Sequence, residues 1–383
     1  MHVERRFDGR ERTHGARRGS VDVVFHMPKM SGLLVPGAGG GRPPGGAETQ
    51  IYLLSRAFAR RGLRVAVIVE ATTNLPAEFD GVRVVSRKVV RSEARGTGRL
   101  RLLATIGDAL RQVDSPIVIH RGGGAELPLV GAAARLLRRR LVFSSASDID
   151  FDLRRNGPER RNIATMRLGP RLAHGIVVQT SEQATLCRAV FNRDAALIPS
   201  ISEEAPMSPH LPEGFLWVGR IIDQKRPLEY LNLARRVPEA SFQMVCMQRD
   251  DPKLEAEIAG RAARLSNVTL LAPRSRDDLQ DLIARSTATV NTSIREGVPN
   301  IFLEGWAQGI PALTLSVDPD GAISSHGLGT NAHGSTDRLA EAARALWHSR
   351  PEKMRLACRD YMARVHGEDA VVAKWLSVLE AMT

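Results

Sequence analysis

The stretch Glu296-Gly-Val-Pro-Asn-Ile-Phe-Leu-Glu304 places two carboxylates eight positions apart, across a turn that begins a helix. The segment before it, Thr287-Ala-Thr-Val-Asn-Thr-Ser293, is short, β-branched and apolar, which predicts a buried strand with Glu296 at its carboxyl end. Pro299 suits the first turn of a helix, whose unpaired amide groups and positive dipole end favour an anion. The stretch therefore predicts a strand, a turn and a helix that meet at an anion site.

The two carboxylates suit a nucleotide-sugar better than a simple anion. Phosphates need the amide groups, whereas the vicinal hydroxyls of a ribose and a hexose form charge-assisted bonds to carboxylates. Glutamates at this spacing also arise by chance, because helix starts favour Glu. The predicted strand, the Pro-Asn turn, and Gly309-Ile-Pro311 before the apolar run 312–316 favour the ligand-binding interpretation.

Short apolar runs alternate with amphipathic stretches in both halves of the chain. A strand predicted at 21–27 is followed by a helix at 47–61 and a strand at 63–69, and this order predicts a parallel sheet. The alternation stops at 198–214, where four prolines indicate a linker, and restarts at Phe215. A chain of 383 residues exceeds the usual size of one domain, so we expect two.

Three further segments place glycine, polar or basic residues where predicted strands end or helices begin. They are Gly45-Gly-Ala-Glu48-Thr-Gln50, Ile176-Val-Val-Gln-Thr180 with Gln183, and Phe215-Leu-Trp-Val-Gly-Arg220 with Lys225. Together with the pattern Glu, seven residues, Glu, these segments resemble the retaining glycosyltransferases of family four, or glycosyl transferases group 1. The resemblance covers roughly residues 21–380 and is most specific in the carboxyl-terminal half. It implies an α/β, GT-B fold, in which two doubly wound, Rossmann-like domains face each other across a cleft.

We accordingly expect five segments in the chain. The resemblance implies that the first domain binds the acceptor and the second binds the nucleotide-sugar. It also implies that the last helix packs on the first domain. The segments are a disordered basic tail at 1–20, the first domain at 21–200, a linker at 201–214, the second domain at 215–365 and the C-terminal helix at 366–383.

The resemblance also assigns the donor site. Arg220 and Lys225 would hold the diphosphate, and Glu296 the hydroxyls of the donor sugar, so these three residues are the candidate catalytic residues. Glu304 would bind the ribose. The remaining donor-binding candidates lie on backbone turns: Gly45 and Gly46 near the phosphates, Gly297, Val298, Pro299 and Asn300 near sugar and phosphate, and Pro273 and Arg274, by position, near the base. A flexible linker is the alternative interpretation of the lone Gly45-Gly46 pair.

The acceptor side departs from the family. Many members carry a histidine after the strand that corresponds to Leu141–Ser144, and this chain has Ala146-Ser147-Asp148 there. Either Ser147 or Asp148 makes the polar contact, or the site handles its sugar differently. His120, at the end of the preceding strand, is a further acceptor-side candidate, with a structural histidine as its alternative.

We expect no metal and no cofactor besides the co-substrate, a nucleotide-sugar such as a UDP- or GDP-sugar. Arg220 and Lys225 supply fixed positive charge that stabilises the departing diphosphate. Asp148-Ile-Asp150 matches the aspartate-any-aspartate motif of metal-using transferases. It lies in the region where the family's first domain meets the acceptor, so we interpret it as an acceptor-side segment, with metal binding as the alternative. Three scattered cysteines show no metal-ligand spacing.

The net charge of +12 indicates partners with negative charge. Only 4% of residues are aromatic and no recognition motif is present, which argues against nucleic acid. An anionic membrane surface is the better candidate, with a merely solvated basic surface as the alternative. The basic residues concerned are Arg87, Lys88, Arg91, Arg95, Arg99, Arg101, Arg135 and Arg138-Arg-Arg140.

No apolar run is long enough to span a bilayer, and residues 1–18 lack the hydrophobic stretch of a secretory signal. We therefore expect a cytoplasmic protein, with peripheral attachment to the inner leaflet left open. The expected function is retaining transfer of a sugar from a nucleotide-sugar to a glycan or lipid-linked acceptor, in polysaccharide or glycoconjugate biosynthesis. The alternatives are a nucleotide-sugar epimerase on the same scaffold and a non-catalytic sugar-nucleotide-binding subunit.

Overall fold

A computed structural model describes residues 21–35, 45–90, 97–152, 162–249, 251–349 and 351–382. The tail predicted at 1–20 and most of the loop before Gly45 lie outside these ranges. Across the ranges that are described, no helix has the length and apolarity needed to cross a membrane.

The first domain is an α/β unit whose central strands are apolar, β-branched and buried on both faces, as expected for a covered parallel sheet. Its described strands are β1 (Val23–His26), β2 (Val65–Glu70), β3 (Glu78–Phe79), β4 (Val82–Arg87), β5 (Ile117–Arg121), β6 (Arg140–Ser144), β7 (Gly175–Val178) and β8 (Ala196–Leu197). Its described helices are α1 (Ser31–Leu34), α2 (Gly46–Arg60), α3 (Thr97–Val113), α4 (Leu127–Leu136), α5 (Asn162–Leu172) and α6 (Ser181–Phe191). The strands form one sheet in the order β3-β4-β2-β1-β5-β6-β7-β8, parallel except for β3.

The second domain repeats this architecture around a smaller sheet. Its described strands are β9 (Gly214–Ile221), β10 (Phe242–Arg249), β11 (Val268–Leu271), β12 (Ser286–Asn291), β13 (Ala312–Thr314) and β14 (Gly329–Asn331). Its described helices are α7 (Pro227–Arg236), α8 (Pro252–Ala262), α9 (Arg276–Ala284), α10 (Asn300–Ala307), α11 (Ala322–His326), α12 (Thr336–His348) and α13 (Glu352–Tyr361). The order β11-β10-β9-β12-β13-β14 is parallel throughout, so the predicted fold of two doubly wound domains is confirmed.

The last helix, α14 (Glu368–Glu380), belongs to the core of the first domain. Trp375 packs edge-on to Phe58 of α2, with 6.2 Å between the ring centroids. The chain thus crosses between the domains twice, and the two crossings touch, because Ser202 N donates to the carbonyl of His366 at 3.0 Å. This return ties the two domains into one body with a cleft between the carboxyl ends of their strands.

Two element boundaries differ from the sequence prediction around the cleft. The strand predicted at 287–293 ends at Asn291, because the Asn291 side chain turns back and its Oδ1 accepts from Ser293 N at 3.0 Å. The helix expected from Pro299 begins at Asn300, and Pro299 caps it in an extended conformation, with φ −62° and ψ 123°. Both differences lengthen the turn that carries Glu296.

The basic surface predicted on the first domain is smaller than expected. Arg87 was wrongly assigned to it, because its side chain is fully buried and donates to Glu126 at 2.9 Å. Arg139 is also buried, with 8% of its surface exposed. Arg91 and Arg95 lie outside the described residues. The exposed basic residues that remain include Lys88, Arg101, Arg135, Arg138 and Arg140.

Candidate functional site

An ion pair between Lys225 and Glu296 lies at the centre of the cleft, which has a volume of about 450 Å³. Lys225 follows β9 and Glu296 follows the neighbouring strand β12, so the sheet brings together two residues 71 positions apart. The Nζ of Lys225 lies 2.7 Å from Oε1 of Glu296. The same oxygen accepts from Asn291 Nδ2 at 2.8 Å and from Ser293 Oγ at 2.6 Å.

These contacts set the charge of Glu296. Burial by itself would raise the pKa of its carboxyl group, but Lys225 and the two neutral donors outweigh burial and lower the pKa below its usual value. The carboxylate is therefore ionised at neutral pH. All three donors use Oε1, so among the described residues Oε2 has no donor and can accept hydrogen bonds from the hydroxyls of a bound sugar.

The turn after Glu296 is one of the places where the two domains meet. Asn300 donates to the carbonyl of Gly46 at 3.3 Å and accepts from Gln50 of α2 at the same distance. Gln50 also pairs with the backbone of Ile201 in the crossing segment, through its Nε2 and its Oε1 at 2.9 Å each. Sequence reasoning gave Gln50 no role of its own. The structure shows that its side chain links the first domain to the turn.

Gly297 lies against the first domain in the same turn. A Cβ atom there would lie 2.6 Å from Nε2 of Gln183 and 3.6 Å from Cα of Ser147. The absence of a side chain at position 297 therefore lets the domains close over the turn.

Gly297→Ala should reduce kcat/KM by about tenfold or more, because the added methyl group displaces the turn that carries Glu296. Steady-state kinetics with a nucleotide-sugar donor would measure the change. Gly260→Ala in α8 is the matched control, since a Cβ there meets nothing within 4 Å. Equal kcat/KM values for the two variants would show that close contact at Gly297 is unimportant.

Glu304 lies on α10, facing the boundary between the cleft and an adjoining cavity of about 340 Å³. Burial is the main cause that raises the pKa of its carboxyl group to about 7. The charge of Glu203 also raises this pKa, and the charge of Arg276 lowers it. No ion pair to Glu304 is present within the described ranges. The carboxyl group is therefore about half ionised near pH 7, and it lines the space in which a ligand would bind.

The other predicted donor-side residues divide into two sets. Gly45 and Gly46 line the cleft at the start of α2, and a Cβ on Gly46 would come within 3.0 Å of Asn300. Arg220 is exposed and also lines the cleft, as do Val298 and Pro299. Pro273 and Arg274 lie after β11, exposed, and are not part of the cleft lining.

The predicted acceptor-side residues are not equally placed. Ser147 lines the cleft. Asp148 is buried and accepts from Gln183 at 3.0 Å, and burial raises its pKa. His120 is buried against His26, with 3.0 Å between their Nδ1 atoms, and burial lowers its pKa to about 4. Of these three side chains, the structure brings that of Ser147 to the cleft.

Arg121 and Gln179 also line the first-domain wall, and sequence reasoning missed both as site residues. Gln179 Nε2 donates to the carbonyl of Ser145 at 3.0 Å, and Gln179 Oε1 accepts from Ser200. Arg121 ends β5 and precedes three consecutive glycines. A charged residue between a buried strand and a glycine turn is the sequence signal that could have identified it.

Two family models match the chain. A glycosyl transferase 4-like domain matches residues 45–199, and glycosyl transferases group 1 matches residues 212–349. The two matches together leave out residues 1–44, 200–211 and 350–383.

Solved structures with the same fold include sucrose-phosphate synthase from Thermosynechococcus elongatus, with 15% identity and a TM-score of 0.73 over 94% of this chain and 99% of that chain. The lipopolysaccharide outer core galactosyltransferase WaaB has 15% identity and a TM-score of 0.65 over 95% and 100%. S. aureus TarM, solved with fondaparinux, α-GlcNAc-glycerol and UDP, has 14% identity and a TM-score of 0.61 over 72% of this chain. This chain covers 58% of the length of TarM. These likenesses establish the GT-B fold.

Proposed function

Because the chain belongs to the glycosyltransferases, with a glycosyl transferase 4-like domain followed by a group 1 domain, we propose that it moves a sugar from a nucleotide-sugar to a glycan or lipid-linked acceptor, with retention at the anomeric carbon. The Lys225–Glu296 pair carries this proposal, because it places a cation and an ionised carboxylate side by side in the cleft. The cation suits a diphosphate, and the carboxylate suits the hydroxyls of the adjoining sugar.

The donor diphosphate binds to Arg220 and Lys225 of the second domain in this proposal. Negative charge develops on it as the bond to the sugar breaks, and these two side chains stabilise that charge. The positive dipole end of α10 supports the same end of the donor. Glu304 accepts from the ribose. On the acceptor side, the departing phosphate takes the proton of the attacking hydroxyl, so no enzymic base is required there.

We further propose that the reaction needs no metal. Arg220 and Lys225 would supply the charge that a metal provides in other transferases. The two aspartates of the 148–150 motif already have other partners in the structure. Asp148 accepts from Gln183, and Asp150 accepts from the backbone amides of Gly123 and Ala146 at 2.8 and 2.7 Å.

We also propose that the enzyme is cytoplasmic and attaches peripherally to an anionic leaflet through the first domain. Exposed Lys88 and Arg101 lie beside exposed apolar side chains, Val89 with 60% and Leu100 with 68% of their surface accessible. Basic residues near anionic lipid contribute about 1 kcal/mol each, and inserted apolar side chains add to this. Polysaccharide or glycoconjugate synthesis with a lipid-linked acceptor would take place at such a surface.

The nucleotide preference can be tested by thermal unfolding against a panel of nucleoside diphosphates and nucleotide-sugars, with magnesium or with EDTA. We expect a rise in melting temperature with one base, independent of magnesium, because ligands that bind the native state stabilise it. Glu296→Gln should keep the shift with the free diphosphate, since Lys225 is then released from its partner, and should lose the extra shift that the sugar provides.

Glu341→Gln, on an exposed site in α12, is the matched control and should behave as the wild type. NMR of the transferred product gives its anomeric configuration, and inversion would refute the retaining step. Release of an isomerised nucleotide-sugar without transfer would identify an epimerase instead. No shift with any member of the panel would refute the donor site.

A further inference from the structure

Arg121 is a cation on the first-domain wall of the cleft, opposite the donor residues of the second domain. It ends β5, and its Nη1 donates to Ser144 Oγ at 3.0 Å. Its Nε is shut off from solvent and has no hydrogen-bond partner within the described ranges. Of the guanidinium nitrogens, Nη1 thus has a partner and Nε is a buried donor without one.

The nearest carboxylates do not neutralise Arg121 by direct contact. Asp150 uses Oδ1 for Gly123 N at 2.8 Å, and Oδ2 for Ala146 N at 2.7 Å and Ser145 Oγ at 3.2 Å. Asp150 and Glu48 act on Arg121 over a longer distance, and in the described part of the chain no carboxylate forms an ion pair with it. Burial lowers the pKa of Arg121 to about 10, although the charges of Asp150 and Glu48 raise it. Arg121 is therefore still charged at neutral pH.

A partly buried cation without an ion-pair partner is costly, and an anionic group of a ligand would offset that cost. Lys225, across the cleft, already has Glu296 as its partner, at 2.7 Å. Among the described residues, Arg121 has no counterpart of this kind. Within the described residues, an unmatched positive charge therefore lies on the first-domain wall of the cleft.

We propose that Arg121 binds an anionic group, a phosphate or a carboxylate, on the acceptor substrate. This inference rests on the proposed function, because it assumes that the acceptor enters from the first domain while the donor occupies the second. Arginine is suited to the task, since its planar fork matches the oxygens of either group. The acceptor is then an acidic sugar, a sugar phosphate or a phospholipid headgroup rather than a neutral glycan.

Calorimetric titration of the full chain, saturated with the nucleoside diphosphate that stabilises it, tests the proposal. The nucleotide fills the donor-phosphate site, so a second anion must bind elsewhere. The probes are glucose 6-phosphate, glucuronate, neutral glucose, and phosphatidylcholine vesicles with or without phosphatidylglycerol. We expect an anionic probe to bind at least tenfold more tightly than glucose. The vesicle arm distinguishes a headgroup from a free sugar anion.

Arg121→Gln should weaken binding of that anionic probe at least tenfold, and Arg121→Lys should restore part of it. Arg338→Gln, an equal change of charge on an exposed site in α12, should leave binding unchanged. Melting curves of the nucleotide-bound variants report whether they fold, and the lysine variant keeps the test valid if the glutamine variant does not.

Equal binding by Arg121→Gln and the wild type would overturn the proposal. So would an effect of Arg121→Gln on nucleoside diphosphate affinity alone, because Arg121 would then belong to the donor site. If the nucleotide binds and no anionic probe does, the acceptor inference fails while the proposed function stands. If no nucleotide binds, both fail.

Discussion

Replacing Lys225 by alanine should reduce kcat by about a hundredfold to a thousandfold and leave the protein folded. Lys225 is the cation in direct contact with Glu296, at the position proposed for the donor diphosphate. Removing a fixed charge that stabilises a developing negative charge typically costs this much in rate. The side chain is about a quarter exposed (24%), so its loss leaves no large cavity in the core.

The measurement is kcat for sugar transfer, or for donor hydrolysis where no acceptor is yet available. Lys253→Ala, on an exposed position in α8, removes the same charge away from the cleft and should be silent. In Lys225→Ala, burial would no longer be opposed by the ammonium group, so the pKa of Glu296 should rise. As the pH falls, residual sugar binding should therefore weaken at a higher pH in Lys225→Ala than in the wild type. A variant with kcat within about threefold of the wild type would contradict the assigned role of Lys225.

Glu304→Gln should have opposite effects on stability and on nucleotide binding. The folded-state pKa of Glu304 is about 7, against an ordinary value of 4.5, because the ionised carboxylate is buried without an ion-pair partner in the described ranges. A raised carboxyl pKa means that the folded state holds the proton more tightly than the unfolded state does. The contribution of Glu304 to the free energy of unfolding is therefore lost as the pH rises from about 4.5 to about 7.

The glutamine variant avoids this loss, because it has no proton to release. Its free energy of unfolding should equal that of the wild type below pH 4.5 and exceed it by roughly 1–3 kcal/mol above pH 7. At that higher pH it should bind the nucleotide about tenfold more weakly, since a charged acceptor for the ribose is replaced by a neutral one. Denaturant unfolding at several pH values and calorimetric titration measure the two effects.

Glu341→Gln serves again as the control, because an exposed glutamate should show neither effect. A glutamine variant at position 304 that is less stable than the wild type at pH 8 would mean that the carboxylate has a structural partner. Unchanged nucleotide affinity would remove Glu304 from the ribose site.

Several features of this protein could be predicted because they depend on short stretches of chain. The β-branched run 287–291 forms a strand because each of its side chains can be buried on a covered parallel sheet. The prolines of 198–214 prevent regular structure, and the chain there crosses between the domains without a described helix. The turn 296–300 carries its glutamate, glycine and proline at fixed spacing, so its position at a strand end could be recognised directly.

The partners of buried charges could not be predicted in this way. Arg87 looks like any other basic residue in the sequence, yet the sheet places β4 where its guanidinium group meets Glu126, and this removes it from the surface. Arg121 and His120 are adjacent in the sequence. Because side chains alternate along β5, that of Arg121 faces the cleft and that of His120 faces the core. Such outcomes depend on which strands are neighbours.

The sequence by itself determined the fold class, the two-domain order and the segment that forms the donor turn, because periodicity, turn residues and motif spacing are local properties of the chain. Only the tertiary structure decided that Lys225 pairs with Glu296, that Gly297 lies close against Gln183, and that Arg121 lines the cleft with no ion-pair partner among the described residues. Charge compensation and close approach depend on distances between residues far apart in the sequence, and strand order and domain closure set those distances.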